Sequence, residues 1–339
     1  MTRIAVIGAS GFVGSAVVDA ARSAGHDTLS LSGPRLATAG TTHEDVITAL
    51  AAQLGDVDVV VNCAGNPDAS ATRIEDLEAA NSVLPGVIGA AARRAAVPRY
   101  VHVSSAVVQG RLPVLDSSDR VDGFSPYARS KIDGETRARA QGPRTTTVYR
   151  PPSVHSPTRR VTRQLTAIAR SPLATVAAPG DRPSPQTHIL DVADAILFLC
   201  TSPTSPPSVV HHPWQGHTTA GLLRLLGGGR RPRELPAPAV RVALRAASGA
   251  SRLSPHAAPY ARRIEMIWLG QAQGSSWLTE QGWRPLTTED DWILLAEQAR
   301  STTLNPNAKD ERCAPNTRLP PSVAQQSRSL EERGRSDRR

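Results

Sequence analysis

The chain opens on a short apolar strand, Arg3-Ile4-Ala5-Val6-Ile7. It runs directly into Gly8-Ala9-Ser10-Gly11-Phe12-Val13-Gly14 and then into an alanine-rich stretch with helical spacing. No other feature narrows the fold so much. Strand, glycine turn and helix, in that order, form the first half of a βαβ unit. Glycines in such a turn let backbone amides approach a phosphate at the helix N-terminus. The spacing here is Gly8-x-x-Gly11-x-x-Gly14. Taken alone, it also suits a plain turn in any α/β protein.

The next segments continue the alternation. Strands are expected at Asp27 to Leu31, Val57 to Asn62, Tyr100 to Ser104 and Thr145 to Arg150. Helices are expected over Glu44 to Leu54, Ile74 to Ala96 with Pro85 inside, and from Ser125-Pro126 onward. The continuous apolar run at Val57 to Asn62 suits a strand covered on both faces. The pattern predicts an α/β fold, a doubly wound parallel sheet of Rossmann type. Residues 1–150 read as the dinucleotide-binding domain and 151–299 as a smaller substrate-binding part that completes the fold. In that part Pro151 to Pro157 reads as a loop, and helices are expected at Val161 to Arg170, Asp191 to Cys200, Thr219 to Leu226, Ala239 to Ala247 and Thr288 to Ala299. Residues 300–339 are polar, charged and proline-dotted, and read as a disordered tail.

The 339 residues carry a net charge of +9. The arginines are scattered, with no basic stripe interleaved with aromatics, so no nucleic-acid partner is expected. No apolar run reaches the roughly eighteen residues of a membrane span, and the N-terminus is already a strand, so neither a membrane nor a leader is expected. Cys63, Cys200 and Cys313 match neither a disulfide framework nor a metal motif. A cytoplasmic protein is the expectation. His211, His212 and His217 cluster, but no nearby carboxylate or cysteine completes a ligand set, so no metal is expected.

Tyr127 and Lys131 stand four residues apart, on one face of a helix. A phenol with a pKa of about 10 serves as an acid–base near neutrality only when a fixed positive charge draws it down. A shift of roughly three units requires about 4 kcal/mol. Lys131 is the expected source. The end of the second strand bears on the choice of dinucleotide. A carboxylate there would bind the adenosine ribose hydroxyls and disfavour a 2′-phosphate. Leu31-Ser32-Gly33-Pro34-Arg35 holds none, and Ser32 and Arg35 could hold a phosphate. NADP is therefore preferred over NAD, with a surface arginine as the alternative for Arg35.

These segments, together with Asn62-Cys63-Ala64-Gly65, Val103-Ser104-Ser105-Ala106-Val107-Val108-Gln109-Gly110 and Arg150-Pro151-Pro152-Ser153-Val154-His155-Ser156-Pro157, give the chain a resemblance to the extended short-chain dehydrogenases/reductases. Within them it resembles the NAD-dependent epimerase/dehydratase family over roughly residues 1 to 297. His188 to Ala193 and Gly282-Trp283-Arg284-Pro285 are similar to later elements of that family. The resemblance implies that Ser105 binds the substrate oxygen, with Ser104 as its rival, that Tyr127 is the acid–base, and that Lys131 tunes it and holds the nicotinamide ribose. It implies cofactor contacts from Gly8, Ser10, Gly11, Phe12, Val13, Gly14, Ala64, Asn81, Tyr127, Lys131 and Pro151. It also implies a homodimer through two long helices, one of them Tyr127 to Ala140. Gln109 stands where the family often has tyrosine, and Ser153 where it often has asparagine.

Ala106 and Val107 follow Ser105, so no acid–base pair is there to expel a hydroxyl, and dehydration is not expected. The reading is a ketoreductase acting on a nucleotide-linked sugar or similar carbonyl. An NAD-dependent nucleotide-sugar epimerase and a non-catalytic dinucleotide-binding regulator remain the alternatives. Arg159, Arg160 and Arg163 could meet a diphosphate, although a solvated helix face is the reading taken.

Overall fold

The computed structural model describes residues 1–34, 36, 42–68, 73–253 and 257–304. Arg35, Cys313 and the tail from 305 on lie outside the described residues.

Alternating strands and helices fill the first half: β1 (Arg3–Ile7), α1 (Phe12–Ser23), β2 (Asp27–Leu31), α2 (His43–Ala51), β3 (Val59–Asn62), α3 (Ile74–Leu77), α4 (Leu84–Arg94), β4 (Arg99–Val103), β5 (Val114–Leu115), α5 (Pro126–Gln141) and β6 (Thr145–Arg150). The second half holds β7 (Ser153–His155), α6 (Arg160–Arg170), β8 (Thr175–Ala177), β9 (Gln186–His188), α7 (Ile189–Thr201), β10 (Val209–His211), α8 (Thr219–Leu226) and β11 (Arg233–Leu235). It ends with α9 (Ala237–Leu253), α10 (Ala257–Leu269), β12 (Ala272–Gln273), α11 (Trp277–Glu280) and α12 (Glu289–Leu304).

Six strands form one parallel sheet in the order β10-β6-β4-β3-β1-β2. Successive side chains alternate between its faces. Ile4, Val6, Val59, Val61, Val101 and Val103 pack with α1 and α7. Ala5, Ile7, Val60 and Tyr100 pack with α2 and α4. The strand order reverses between β1 and β3, and such a switch point opens a crevice at the strands' carboxyl ends. A third core joins α6, α8 and α12 through Leu165, Leu223, Leu226, Trp292 and Leu295.

The structure departs from the sequence reading in four places. The helix expected from Ile74 to Ala96 is interrupted by a π-helical turn, Glu78–Val83. Pro85 has no N–H to donate to the carbonyl of Asn81, and a wider turn absorbs that gap. The stretch Pro151 to Pro157 is not only a loop, because β7 pairs with β9. Residues 300–304, assigned to the tail, are the last turns of α12. The chain beyond residue 150 also returns to the main sheet, where β10 pairs with β6 and α7 covers one face. Among the described residues no helix is long and apolar enough to cross a membrane.

Candidate active site

Three strand ends converge at the switch point. Gly8 adopts φ +82°, which favours glycine. Its N–H donates to the Leu31 carbonyl at 2.8 Å, drawing the β1 turn to the end of β2. A Cβ on Gly8 would lie 2.7 Å from the amide nitrogen of Ala64, beyond β3. A Cβ on Gly14 would lie 2.1 Å from the carbonyl oxygen of Gly8, so α1 packs on the turn only because that position is glycine. Ser10 and Gly11 are exposed at the mouth, and Phe12 and Val13 are half-buried behind it. Ser32 is exposed at the end of β2. Asn62 shapes the third edge, its Oδ1 accepting from Ala64 N at 2.9 Å.

Ser104 and Ser105 follow β4, and their neighbours separate them. Ser104 is buried, and its hydroxyl donates to Glu135 Oε1 at 2.6 Å. Glu135 is also gripped by Arg150, whose Nη2 and Nε lie 2.7 and 3.0 Å from it, with both side chains almost wholly inaccessible. Ser105 is half-buried and caps a 3-10 turn, Ala106–Gln109, by accepting from Val107 N at 3.2 Å. Ser104 is thus committed to the interior, and Ser105 is the hydroxyl left at the crevice. Pro151 meets the same turn, its carbonyl accepting from Ala106 N at 2.8 Å. Gln109 is turned inward, exchanging hydrogen bonds with Asp116 at 2.8 and 2.9 Å.

Ser125 caps α5 by accepting from Ala128 N, and Pro126 occupies its first turn. Tyr127 and Lys131 follow one turn apart. Lys131 is 6% exposed and makes no hydrogen bond or ion pair among the described residues. A Cβ on Gly65 would lie 3.2 Å from its Nζ, so the ammonium is aimed beneath the β3 loop. Burial draws its pKa down to about 8, against the opposing pull of Glu135. Asn81, in the π-helical turn, braces the same loop. Its Oδ1 accepts from Asn66 N at 2.9 Å, and its Nδ2 donates to Asn66 O at 3.1 Å and Ser130 Oγ at 3.3 Å.

The expected electrostatics of the tyrosine is corrected. Burial pushes the Tyr127 phenol up to about 12, the cation that pulls it back is Arg159, and Asp68 adds to the rise. Lys131 shares the helix face with Tyr127, and its ammonium lies beneath Gly65, where a Cβ would be 3.2 Å from Nζ. Arg159 also departs from the solvated-face reading. Its guanidinium lies 4.7 Å from the centroid of the Phe12 ring, while Arg160 is exposed as expected. Glu135 had no role in the sequence reading, although it extends the four-residue spacing of Tyr127 and Lys131 by one more step.

The match to known families follows this geometry. Residues 4–211 match the model of the NAD dependent epimerase/dehydratase family. The chain belongs to this family. One curated relative is the dTDP-4-dehydrorhamnose reductase of Mycolicibacterium smegmatis, 32% identical over 158 residues. That match covers 44% of this chain and 46% of the reductase, so the chain spans about half the length of the relative it matches. Among solved structures, the fold is similar to a UDP-glucuronic acid 4-epimerase from Bacillus cereus in complex with NAD. The TM-score is 0.61 at 15% identity, over 88% of this chain and 99% of that one. It is also similar to a dTDP-4-dehydrorhamnose reductase from Bacillus anthracis in complex with NADP. There the TM-score is 0.58 at 13% identity, over 86% and 97% of the two chains.

The residues of this family member suit a dinucleotide. Gly8 and Gly14 leave a turn that a Cβ at either position would obstruct. Gly11 begins α1 with no side chain capping its first amides. Phosphate oxygens are the natural partners of such amides.

Proposed function

We propose that the chain is an NAD(P)-dependent oxidoreductase of the extended short-chain type, a ketoreductase that uses NADPH on a nucleotide-linked sugar or similar carbonyl. The observation that carries this reading is the grouping at the crevice of Ser105, the hydroxyl not committed to the interior, with Tyr127 and Lys131 on one face of α5. The Tyr127 phenol is protonated at neutral pH, as an unperturbed phenol also is. A protonated phenol beside the crevice can give its proton to a carbonyl oxygen, as reduction requires.

The roles follow from the positions. Gly8, Ser10, Gly11, Phe12, Val13 and Gly14 would hold the pyrophosphate side of the cofactor, and Ala64, Asn81, Lys131 and Pro151 the nicotinamide side. Ser32 and Arg35 would meet the adenosine end, where no carboxylate follows the end of β2 to repel a 2′-phosphate. A bound nicotinamide supplies the hydride. Ser105 Oγ donates to the substrate oxygen and orients it, and Tyr127 Oη delivers the proton to that same atom. Ala106 and Val107 carry no proton, so a leaving hydroxyl finds no acid there. The partial match to a reductase supports the same direction.

The test is to mix purified protein with NADPH and a dTDP-4-keto sugar and follow nucleotide absorbance. Oxidation of NADPH that tracks formation of the reduced sugar is expected. Recovery of tightly held NAD from denatured protein, with no net consumption of NADPH, would replace this reading with epimerisation.

A further inference from the structure

Arg159 stands between β7 and α6. Its Nη1 donates to the Val154 carbonyl at 2.8 Å, which folds the side chain back toward the crevice. The guanidinium then lies over Phe12, the residue between Gly11 and the first buried turn of α1. A guanidinium offers five N–H donors. Only the bond to Val154 is made among the described residues, and no carboxylate lies within ion-pair distance. The side chain is half-buried, and desolvation is the largest influence disfavouring its charge. A second cation adds to the imbalance. Arg263, on α10, is close enough for the two guanidiniums to oppose each other. Arg263 is itself paired only with the neutral Gln164, at 3.2 Å. Two arginines from different elements thus share one region with no ion pair to either among the described residues, and one of them is stacked on the glycine turn.

We infer that Arg159 is a phosphate-binding residue of this site, gripping a phosphate of a ligand bound in the crevice. Planar, paired donors match a phosphate's oxygens, and the aromatic platform fixes the plane in which they are presented. Two ligands of the proposed reaction carry that group: the dinucleotide, through its pyrophosphate, and a sugar nucleotide, through its diphosphate. The inference therefore rests on the reductase reading for its ligands, but its test does not depend on turnover.

Binding of NADPH, followed by its fluorescence, and binding of thymidine diphosphate, followed by calorimetry with NADPH in excess, are compared in wild type, Arg159→Gln and Arg159→Lys. Loss of a charge-assisted contact is expected to weaken one ligand about tenfold to a hundredfold in Arg159→Gln. Arg159→Lys should fall between, and the salt dependence of the affected ligand should flatten. The ligand that responds identifies the source of the phosphate. Affinities for both ligands within about twofold of wild type in Arg159→Gln would overturn the inference. Wild-type protein that binds neither NADPH nor NADH would instead overturn the dinucleotide reading, leaving the thymidine diphosphate arm to decide on Arg159.

Discussion

Lys131 is buried in a way that pulls against its ordinary charge state. The folded pKa of Lys131, about 8, lies below its usual value of 10.5. The unfolded chain therefore binds more protons between those values, and stability rises as pH climbs from 8 to 10.5. Below pH 8 the protein bears the full cost of a buried ammonium. Lys131→Met should raise stability at pH 7 by about 1–3 kcal/mol, read as the thermal midpoint, while turnover is lost. Tyr127→Phe should cut turnover by about 10²- to 10⁴-fold with NADPH affinity unchanged in fluorescence titration. The two serines separate in the same way. Ser105→Ala should lower kcat with little change in stability, and Ser104→Ala should lower stability first. The sequence displayed Tyr127 and Lys131 through spacing, and the serine pair through the family resemblance. The resemblance favoured Ser105 with Ser104 as its rival, but the physical ground for separating them was not legible, because it lies in Glu135, thirty-one residues after Ser104 and on another element. Nor did the sequence show that Arg159 would act on the phenol, because that residue lies outside α5, thirty-two residues after Tyr127.

At the scale of elements, the site depends on how closely α5 approaches the π-helical turn. A Cβ on Gly134 would lie 2.0 Å from the Asn81 carbonyl oxygen. Gly134→Ala must therefore push apart the helix carrying Tyr127 and the turn carrying Asn81. We expect a loss of about 1–3 kcal/mol in denaturant unfolding and weaker NADPH binding, since both braces of the β3 loop shift. The buried Glu135–Arg150 pair joins α5 to β6. Glu135→Ala leaves the guanidinium uncompensated and should cost about 3–5 kcal/mol by the same measurement. Long elements were legible because burial on both faces of a strand and on one face of a helix leaves runs and periods in the sequence. The strands β5, β7, β8, β9, β11 and β12 hold two or three residues each, too few for any period, and they exist only because a partner strand lies alongside. The π-helical turn was foreshadowed by Pro85 but not located by it.

Across the molecule, His102, His155 and His212 are packed away from water in their neutral form. His102 and His212 are drawn down to about 3 and His155 to about 4, burial being the largest cause for each. Their usual value is 6.5. Between these limits the unfolded chain binds the extra protons, so stability is complete above pH 6.5 and falls as the solution is acidified. Three such groups imply a slope on the order of 3–4 kcal/mol per pH unit near pH 5. A thermal midpoint that stays level from pH 7 to pH 5 would contradict this packing. His212 illustrates how widely that neutrality is enforced, since its ring nitrogens meet Tyr149 of β6 and Thr187 of β9 at 2.5 and 3.0 Å.

The return of β10 to the edge of the main sheet has a consequence for redesign. A chimera that kept residues 1–150 and borrowed its remainder from another protein would strip β6 of its outer neighbour and uncover the face that α7 seals. Coenzyme grip and substrate choice cannot be swapped as cassettes in this chain. A change of substrate has to be written into side chains around a frame that stays whole.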